Sequence, residues 1–464
     1  MMRSAFGLLT VTSCAMVVLG CVAGAQATTY NVATASALHN ALVGARWGDE
    51  IVVAAGTYTF SNDQGMSYPG VTLRGATGNR DDVVLKGGGF NSTSYARIVL
   101  HCYAADCVVK DLTIGDCYWH AIQVHNGADR LIIRNVRCYN AGEQVIKGVQ
   151  YSHDGLMENC LLEYTAVRIN DGVDRPDDYV GGIDLHGAIG WTIRDNVIRN
   201  IIGQNGEGDA GVFLWNVSSN CTAERNVIYG CNKGIAYGNP SNGSGTWAMN
   251  GGIVRNNFVY ARTAAPADPV NEPWGGNADL GMEMCYTKDV KVYNNTIWTD
   301  SGSFFRAFQV YASAAIQTTN LQLKYNIIRG SILSTYANGT WTSTGDIIGN
   351  AAQASWFFDA ANANLHLTKL ATAAIDHAVL LADVPTDFDQ QARPIGSAPD
   401  VGADEYVAAD LTGDGHVDVA DLLILVNSWG KLLGQPGYNA AADLNGSNGV
   451  DVSDLLILAG SWGL

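Results

Sequence analysis

Two sets of residues in this 464-residue chain have types and spacings that can do chemistry. One is the run Asp410-Leu411-Thr412-Gly413-Asp414-Gly415-His416-Val417-Asp418-Val419-Ala420-Asp421. It places side-chain oxygens at positions 1, 3, 5, 9 and 12, with the peptide oxygen of His416 at position 7. A hard cation such as Ca2+ takes six to eight oxygens, and a glycine at position 6, here Gly415, permits the bend that gathers them. A second run begins 33 residues later, with Asp443, Asn445, Ser447, Asp451 and Asp454 at the same positions and Gly449 at position 7. There Ser447 replaces an acid and Asn448 replaces the glycine. Asn tolerates a left-handed backbone better than most residues, so the second loop is expected to form but to hold its ion more weakly. The other set is Lys147, Asp184 and His186: a cation, a carboxylate and an imidazole, the types that move protons in general acid–base catalysis.

The acidic runs each lead into a short apolar helix, Leu422-Leu423-Ile424-Leu425 and Leu455-Leu456-Ile457-Leu458. Both copies close on the same tripeptide, Ser428-Trp429-Gly430 and Ser461-Trp462-Gly463. With Asp rather than Glu at position 12, this loop–helix duplication resembles a type I dockerin. The resemblance implies two Ca2+ sites and a cohesin-like scaffold protein as partner. A calcium-stabilised tail that docks nothing is the plainer alternative.

Lys147 is far in sequence from Asp184 and His186 and needs a repeat to bring it to them. One exists. The segments Ile193–Ile198, Ala223–Ile228, Val254–Val259, Val292–Ile297 and Leu323–Ile328 are β-branched runs broken by Asn196, Asn226, Asn257, Asn295 and Asn326, at intervals of 30, 31, 38 and 31 residues. Removing loop insertions leaves a unit of about 23 residues, which is short for paired helices and fits three strands in one coil of a parallel β-helix, an all-β solenoid. Coils stack about 4.8 Å apart, so side-chain amides at one turn can bond to each other along the axis.

Strand side chains alternate in and out. With Ile122, Ile146, Ile183, Val212, Ile235 and Met282 inward, one outward column reads Gln123, Lys147, Asp184, Phe213, Ala236 and Glu283. A second reads His125, Val149, His186, Trp215, Gly238 and Cys285. Long insertions border this face and commonly build the walls of a groove. They carry Arg168, Asp171, Asp174, Arg175, Asp177 and Asp178, then Glu207 and Asp209, then Trp247 and Trp274. The plain alternative for Lys147 and Asp184 is a cross-strand ion pair on an exposed sheet; for His125 the plain structural reading is favoured.

The span from Thr28 to Tyr406 is similar to the right-handed parallel β-helix superfamily that includes pectate lyases, chondroitinase B and alginate lyases. Its opening, Ser36-Ala37-Leu38 and then Gly48 to Tyr58, resembles a first coil of that superfamily. Its end, Asp387-Phe388-Asp389 and then Ala398 to Tyr406, resembles the closing segment. Because the fold hosts many reactions, the resemblance implies architecture first and, second, a polysaccharide lyase that cleaves uronic-acid polymers by β-elimination. In that reading Lys147 is the base, His186 acid or base, and Asp184 with Glu207 or Asp209 a metal or sugar ligand. Trp215, Gln123, Arg175 and Glu283 bind substrate, and a further Ca2+ is expected at the groove. A glycoside hydrolase would use Asp184 paired with Glu207, Asp209 or Glu283, and a binding protein would use the groove alone.

The first 27 residues carry Arg3, an apolar run and Ala25-Gln26-Ala27, the pattern of an export leader. A lipoprotein signal ending at Cys21 is the weaker alternative. The expected organisation is therefore leader 1–27, β-helix 28–406 and calcium module 407–464. A net charge of −17 argues against nonspecific nucleic-acid or anionic-membrane binding. Eight cysteines follow the leader with no CxxC pair, so a zinc ribbon has no support. Cys102 and Cys107 are close enough in sequence to close a loop in an oxidising compartment.

Overall fold

The computed structural model describes residues 26–170, 177–240, 246–264, 276, 278–313, 315–335 and 340–464. Most of the expected leader, and Asp171, Asp174, Arg175 and Trp274, lie outside the described residues.

The β-branched runs form short strands because each is interrupted by a corner. In the five repeats the residue before the ladder Asn takes a left-handed conformation: Asp195, Arg225, Asn256, Asn294 and Tyr325 have φ of 56°, 51°, 53°, 50° and 55°. That corner turns the chain and points the next side chain inward. Asn196 Nδ2 then donates to Asn226 Oδ1 at 2.9 Å, Asn226 to Asn257 at 2.9 Å, Asn257 to Asn295 at 2.9 Å and Asn295 to Asn326 at 3.0 Å. Asp346 ends the ladder by accepting from Asn326 Nδ2 at 2.7 Å. All five asparagines are buried, and the ladder satisfies amides that would otherwise cost about 1–3 kcal/mol each.

Coils stack through parallel sheets. Ten strands form the sheet that concerns function: Gln64–Met66, Ile98–Cys102, His120–Val124, Gln144–Gly148, Gly181–His186, Ala210–Trp215, Lys233–Tyr237, Leu280–Cys285, Phe308–Tyr311 and Ile332–Thr335. Inside lies one continuous apolar core that includes Ile122, Ile146, Ile183, Val212, Ile235 and Met282. The opening Ser36-Ala37-Leu38 belongs to a helix, Ala35–Gly44, capped by the Thr34 hydroxyl, which buries Leu38, Ala41 and Leu42 against the first coil. At the far end, an antiparallel pair, Phe357–Asp359 with Asn364–Leu367, and the closing segment cover a second apolar cluster.

The eight cysteines after residue 28 are free and buried, so Cys102 and Cys107 form no bond with each other. They serve as small core residues. Helices Val419–Asn427 and Val452–Gly460 follow the two acidic runs, each started by a capping box, Asp418 with Asp421 and Asp451 with Asp454. Leu411, Val417, Leu425, Val450 and Leu458 pack between them. Among the described residues no helix is long and apolar enough to cross a membrane.

Candidate functional site

The ten-stranded sheet fixes register. Lys147 lies between Gln123 and Asp184, and Phe213, Ala236 and Glu283 continue the same outward column. His186 pairs with Trp215 in the second column. Period-two alternation over buried inward residues therefore sets Lys147, Asp184, His186 and Trp215 on adjacent rungs of one face.

Their side chains meet. Lys147 Nζ donates to Asp184 Oδ2 at 2.5 Å, lies 3.1 Å from His186 Nε2 and donates to the Tyr179 hydroxyl at 3.0 Å. Trp215 Nε1 donates to the other carboxylate oxygen, Oδ1, at 2.9 Å. The His186 ring stands edge-on to Trp215 at 4.5 Å, and Phe213 stacks on Trp215 at 5.4 Å, which fixes the indole. Asp184 is 1% exposed. Burial works against the Lys147 ammonium, but the Asp184 carboxylate and the Tyr179 hydroxyl outweigh it and hold its pKa above the ordinary lysine value. Burial also opposes Asp184 ionisation, and the His186 contact and the Lys147 charge override it and hold the carboxyl below the usual range. At neutral pH the centre is a tight ammonium–carboxylate pair with an imidazole beside it.

An open cavity of about 650 Å³ adjoins the cluster and shares Tyr179 with it. Its wall carries Asp177, Glu207, Asp209, Lys233 and Arg306. Asp209 accepts from Gln144 Nε2 at 3.0 Å; burial and the charge of Asp184 raise its pKa. The cavity thus holds both signs of charge and one carboxyl whose pKa is raised above its ordinary value.

Not every expected residue joins this centre. Gln123 is the register neighbour of Lys147. Glu283 is three strands from Asp184, about 14 Å away at ordinary strand spacing, and burial raises its carboxyl to about 7. Cys285 is covered by Ala248, Tyr286 and Ile316. Trp247 lies against Lys288 and donates to Gln317, outside the cavity wall. Among the described residues the face has no group of three His, Cys, Asp or Glu ligands placed to share an ion.

The sequence reading missed a second cluster on this face. His101, the register neighbour of Gln123, has Nδ1 2.8 Å from His125 Nε2 and Nε2 3.3 Å from Asp63 Oδ2, and Tyr103 stacks on His125 at 4.2 Å. Extending the outward column by one rung before Gln123 would have found it. Tyr179 and Gln144 belong to a loop and a strand edge that the column does not reach.

The acidic runs fit a hard cation. Asp421 and Asp454 at position 12 are fully buried carboxylates, and Asp410 and Asp443 fold their loops by accepting amides of Gly413 and Gly415, and of Ser447 and Asn448. Asn448 takes φ of 70°, close to the 82° of Gly415, so it does stand in for the glycine. Residues 408–460 match the model of the dockerin type I domain. No curated protein matches the chain. Among solved structures the chain is similar to pectate lyase Pel9A at 14% identity and a TM-score of 0.54, covering 82% of this chain and 96% of that one. Weaker likenesses are an alginate lyase from Paenibacillus sp. str. FPU-7 (18%, 0.37, 69% and 95%) and a GH87 α-1,3-glucanase from Streptomyces thermodiastaticus strain HF3-3 (13%, 0.43, 70% and 69%). The likeness to Pel9A, at 14% identity, supports the fold alone, the parallel β-helix. The dockerin is attached to its closing end: Asn364 Nδ2 donates to Gly413 O, Gln391 Nε2 to Gly415 O and Lys369 Nζ to Ala440 O, each at 2.8 Å.

Proposed function

We propose that the chain is an exported polysaccharide lyase that cleaves a uronic-acid polymer by β-elimination at the Lys147–Asp184–His186 centre. The observation that carries this reading is the convergence of a cation, a carboxylate and an imidazole within hydrogen-bond distance, beside an open cavity of about 650 Å³. β-Elimination needs the substrate carboxylate neutralised, the proton on the adjacent carbon removed and the leaving oxygen protonated. Lys233 in the cavity wall supplies positive charge for the first task, Arg306 there being paired with Asp279. Lys147 removes the proton once it has lost its own, which its raised pKa confines to alkaline pH. His186, 3.1 Å from Lys147 Nζ, relays the abstracted proton from Lys147 to the leaving oxygen, so the step consumes no net proton, and Trp215 offers an aromatic surface for a sugar ring. Incubation with pectate, alginate and glycosaminoglycans tests the reading: a lyase generates an unsaturated product with new ultraviolet absorbance, and no such product from any of them sinks it.

A hydrolase reading has one specific observation in its favour. Burial and the charge of Asp184 raise the Asp209 pKa while that of Asp184 is held down, and such opposed shifts are the division between acid and carboxylate that glycoside hydrolysis needs. New reducing ends without an unsaturated product would favour it.

In the dockerin, Asp410, Thr412, Asp414, His416, Asp418 and Asp421 would hold one Ca2+, and Asp443, Asn445, Ser447, Gly449, Asp451 and Asp454 the other, the second more weakly. The ions would fix the loops that start the two helices. Equivalent positions of the two copies expose apolar side chains, Leu423 with Leu456 and Trp429 with Trp462, a surface suited to a cohesin-like partner. Calcium titration checks the order: Asp410→Ala removes the tighter site and Asp443→Ala the weaker.

A further inference from the structure

At the closing end of the β-helix, three side chains from three stretches of chain converge outside both sites described so far. His366 comes from the strand Asn364–Leu367, and Asp389 and Asp404 from the closing segment. One ligand atom from each lies within 4.8 Å of the other two. His366 is 9% and Asp404 4% exposed.

The imidazole is held in one orientation and one tautomer. Asn364 Nδ2 donates to Gly413 O at 2.8 Å, which leaves Asn364 Oδ1 facing His366 Nδ1 at 2.7 Å. An amide oxygen only accepts, so Nδ1 carries the proton. The rings of Phe258 and Phe388 stand edge-on to the imidazole at 5.0 and 5.5 Å and fix its plane. Nε2 is thereby aimed at Asp389 Oδ2, 3.0 Å away, yet the two buried atoms are not aligned for a hydrogen bond and neither has another partner. A lone pair opposite a carboxylate is repulsive unless a proton or a metal cation stands between them, and the poor alignment for a hydrogen bond favours the metal. Asp404 faces the same space while its Oδ2 accepts from Leu367 N at 2.6 Å. Asp387, the neighbouring acid, is committed to the amides of Asp389, Gln391 and Glu405.

Two carboxylates and an imidazole gathered in one buried place need neutralising, by protons or by a metal cation. A divalent ion with a neutral imidazole and two carboxylates brings the sum to zero. We infer that His366, Asp389 and Asp404 form a binding site for a divalent transition-metal ion of the Zn2+ type. An imidazole paired with carboxylates suits that class, whereas Ca2+ prefers oxygen alone. Asn364 is the outer residue that orients the histidine, as ligating histidines usually require. The same Asn364 grips the first calcium loop, and Gly415 lets that loop approach: a Cβ there would lie 2.3 Å from Asp389 Cγ. The ion would therefore tie the antiparallel pair, the closing segment and the dockerin together.

The test uses untagged full-length protein, stripped of metal and then held in excess Ca2+ so that the dockerin loops are filled, and titrated with Zn2+ against a chromophoric chelator. One Zn2+ equivalent is expected, weakened at least about tenfold in His366→Gln and in Asp404→Asn, with X-ray absorption of the wild-type complex finding one nitrogen-type neighbour among oxygens. No Zn2+ uptake under excess Ca2+, or uptake of unchanged affinity in both variants, overturns the proposal and leaves a protonated buried ion pair. If the variants do not fold, the wild-type absorption spectrum decides, and an all-oxygen environment contradicts the site.

Discussion

The same coils carry two columns built on opposite rules. The inward Asn ladder repeats one residue type at one corner, Asn196 to Asn326, and each amide bonds to the next. The outward column of the ten-stranded sheet repeats nothing: Gln123, Lys147, Asp184, Phe213, Ala236 and Glu283 follow one another on successive rungs. Repetition is what stacking energy requires, since equivalent positions meet equivalent neighbours. Departure from it, where a buried ion pair, an imidazole and an indole converge, has no stacking rationale and marks the place where the fold has been put to another use.

The largest expected effect comes from breaking the outward centre. Lys147→Ala should lower formation of unsaturated product by about 10²–10⁴-fold, and it should also cost about 3–5 kcal/mol of stability by leaving the Asp184 carboxylate buried without its partner. The double variant Lys147→Ala, Asp184→Asn should recover stability in denaturant unfolding while activity stays lost. If it recovers both, the pair is only structural. Breaking the inward column should do the reverse. Asn257→Ala removes bonds with Asn226, Asn295 and Ala223 and is expected to cost about 2–4 kcal/mol, with turnover unchanged below the melting transition.

Glu283 sharpens the comparison by pH. Its folded pKa is raised from 4.5 to about 7 by burial, so the folded state holds a proton that the unfolded state has lost. The sign is a loss of stability as pH rises from about 4.5 through 7, amounting to roughly 3 kcal/mol. Glu283→Gln should unfold at the same denaturant concentration as wild type below pH 4 and at a higher one at pH 8. The smallest effect expected is kinetic. Asp184→Asn removes the carboxylate that holds the Lys147 pKa up, so any activity that remains should show its alkaline rise at lower pH; an unshifted profile would remove Lys147 as the base.

Much of this was legible in the sequence because period-two alternation and the Asn interval are properties of single strands and corners. They gave the register that brings Lys147 to Asp184 and His186 to Trp215. What was not legible depends on where loops and ends fold back. Tyr179 reaches Lys147 from an insertion, Asp346 ends the ladder with a carboxylate in place of an amide, and His366, Asp389 and Asp404 meet only because the closing segment covers the last coils. Cys102 and Cys107 invited a disulfide by sequence distance alone, whereas the rungs point both thiols into the core.

The most direct test of the central claim is the ultraviolet absorbance of unsaturated product when purified protein meets uronic-acid polymers across pH 6 to about 11. The account predicts product from at least one polymer, with a rate that climbs into the alkaline range as Lys147 loses its proton. Cleavage that yields reducing ends without unsaturation, or no product from any polymer at any pH, would contradict it.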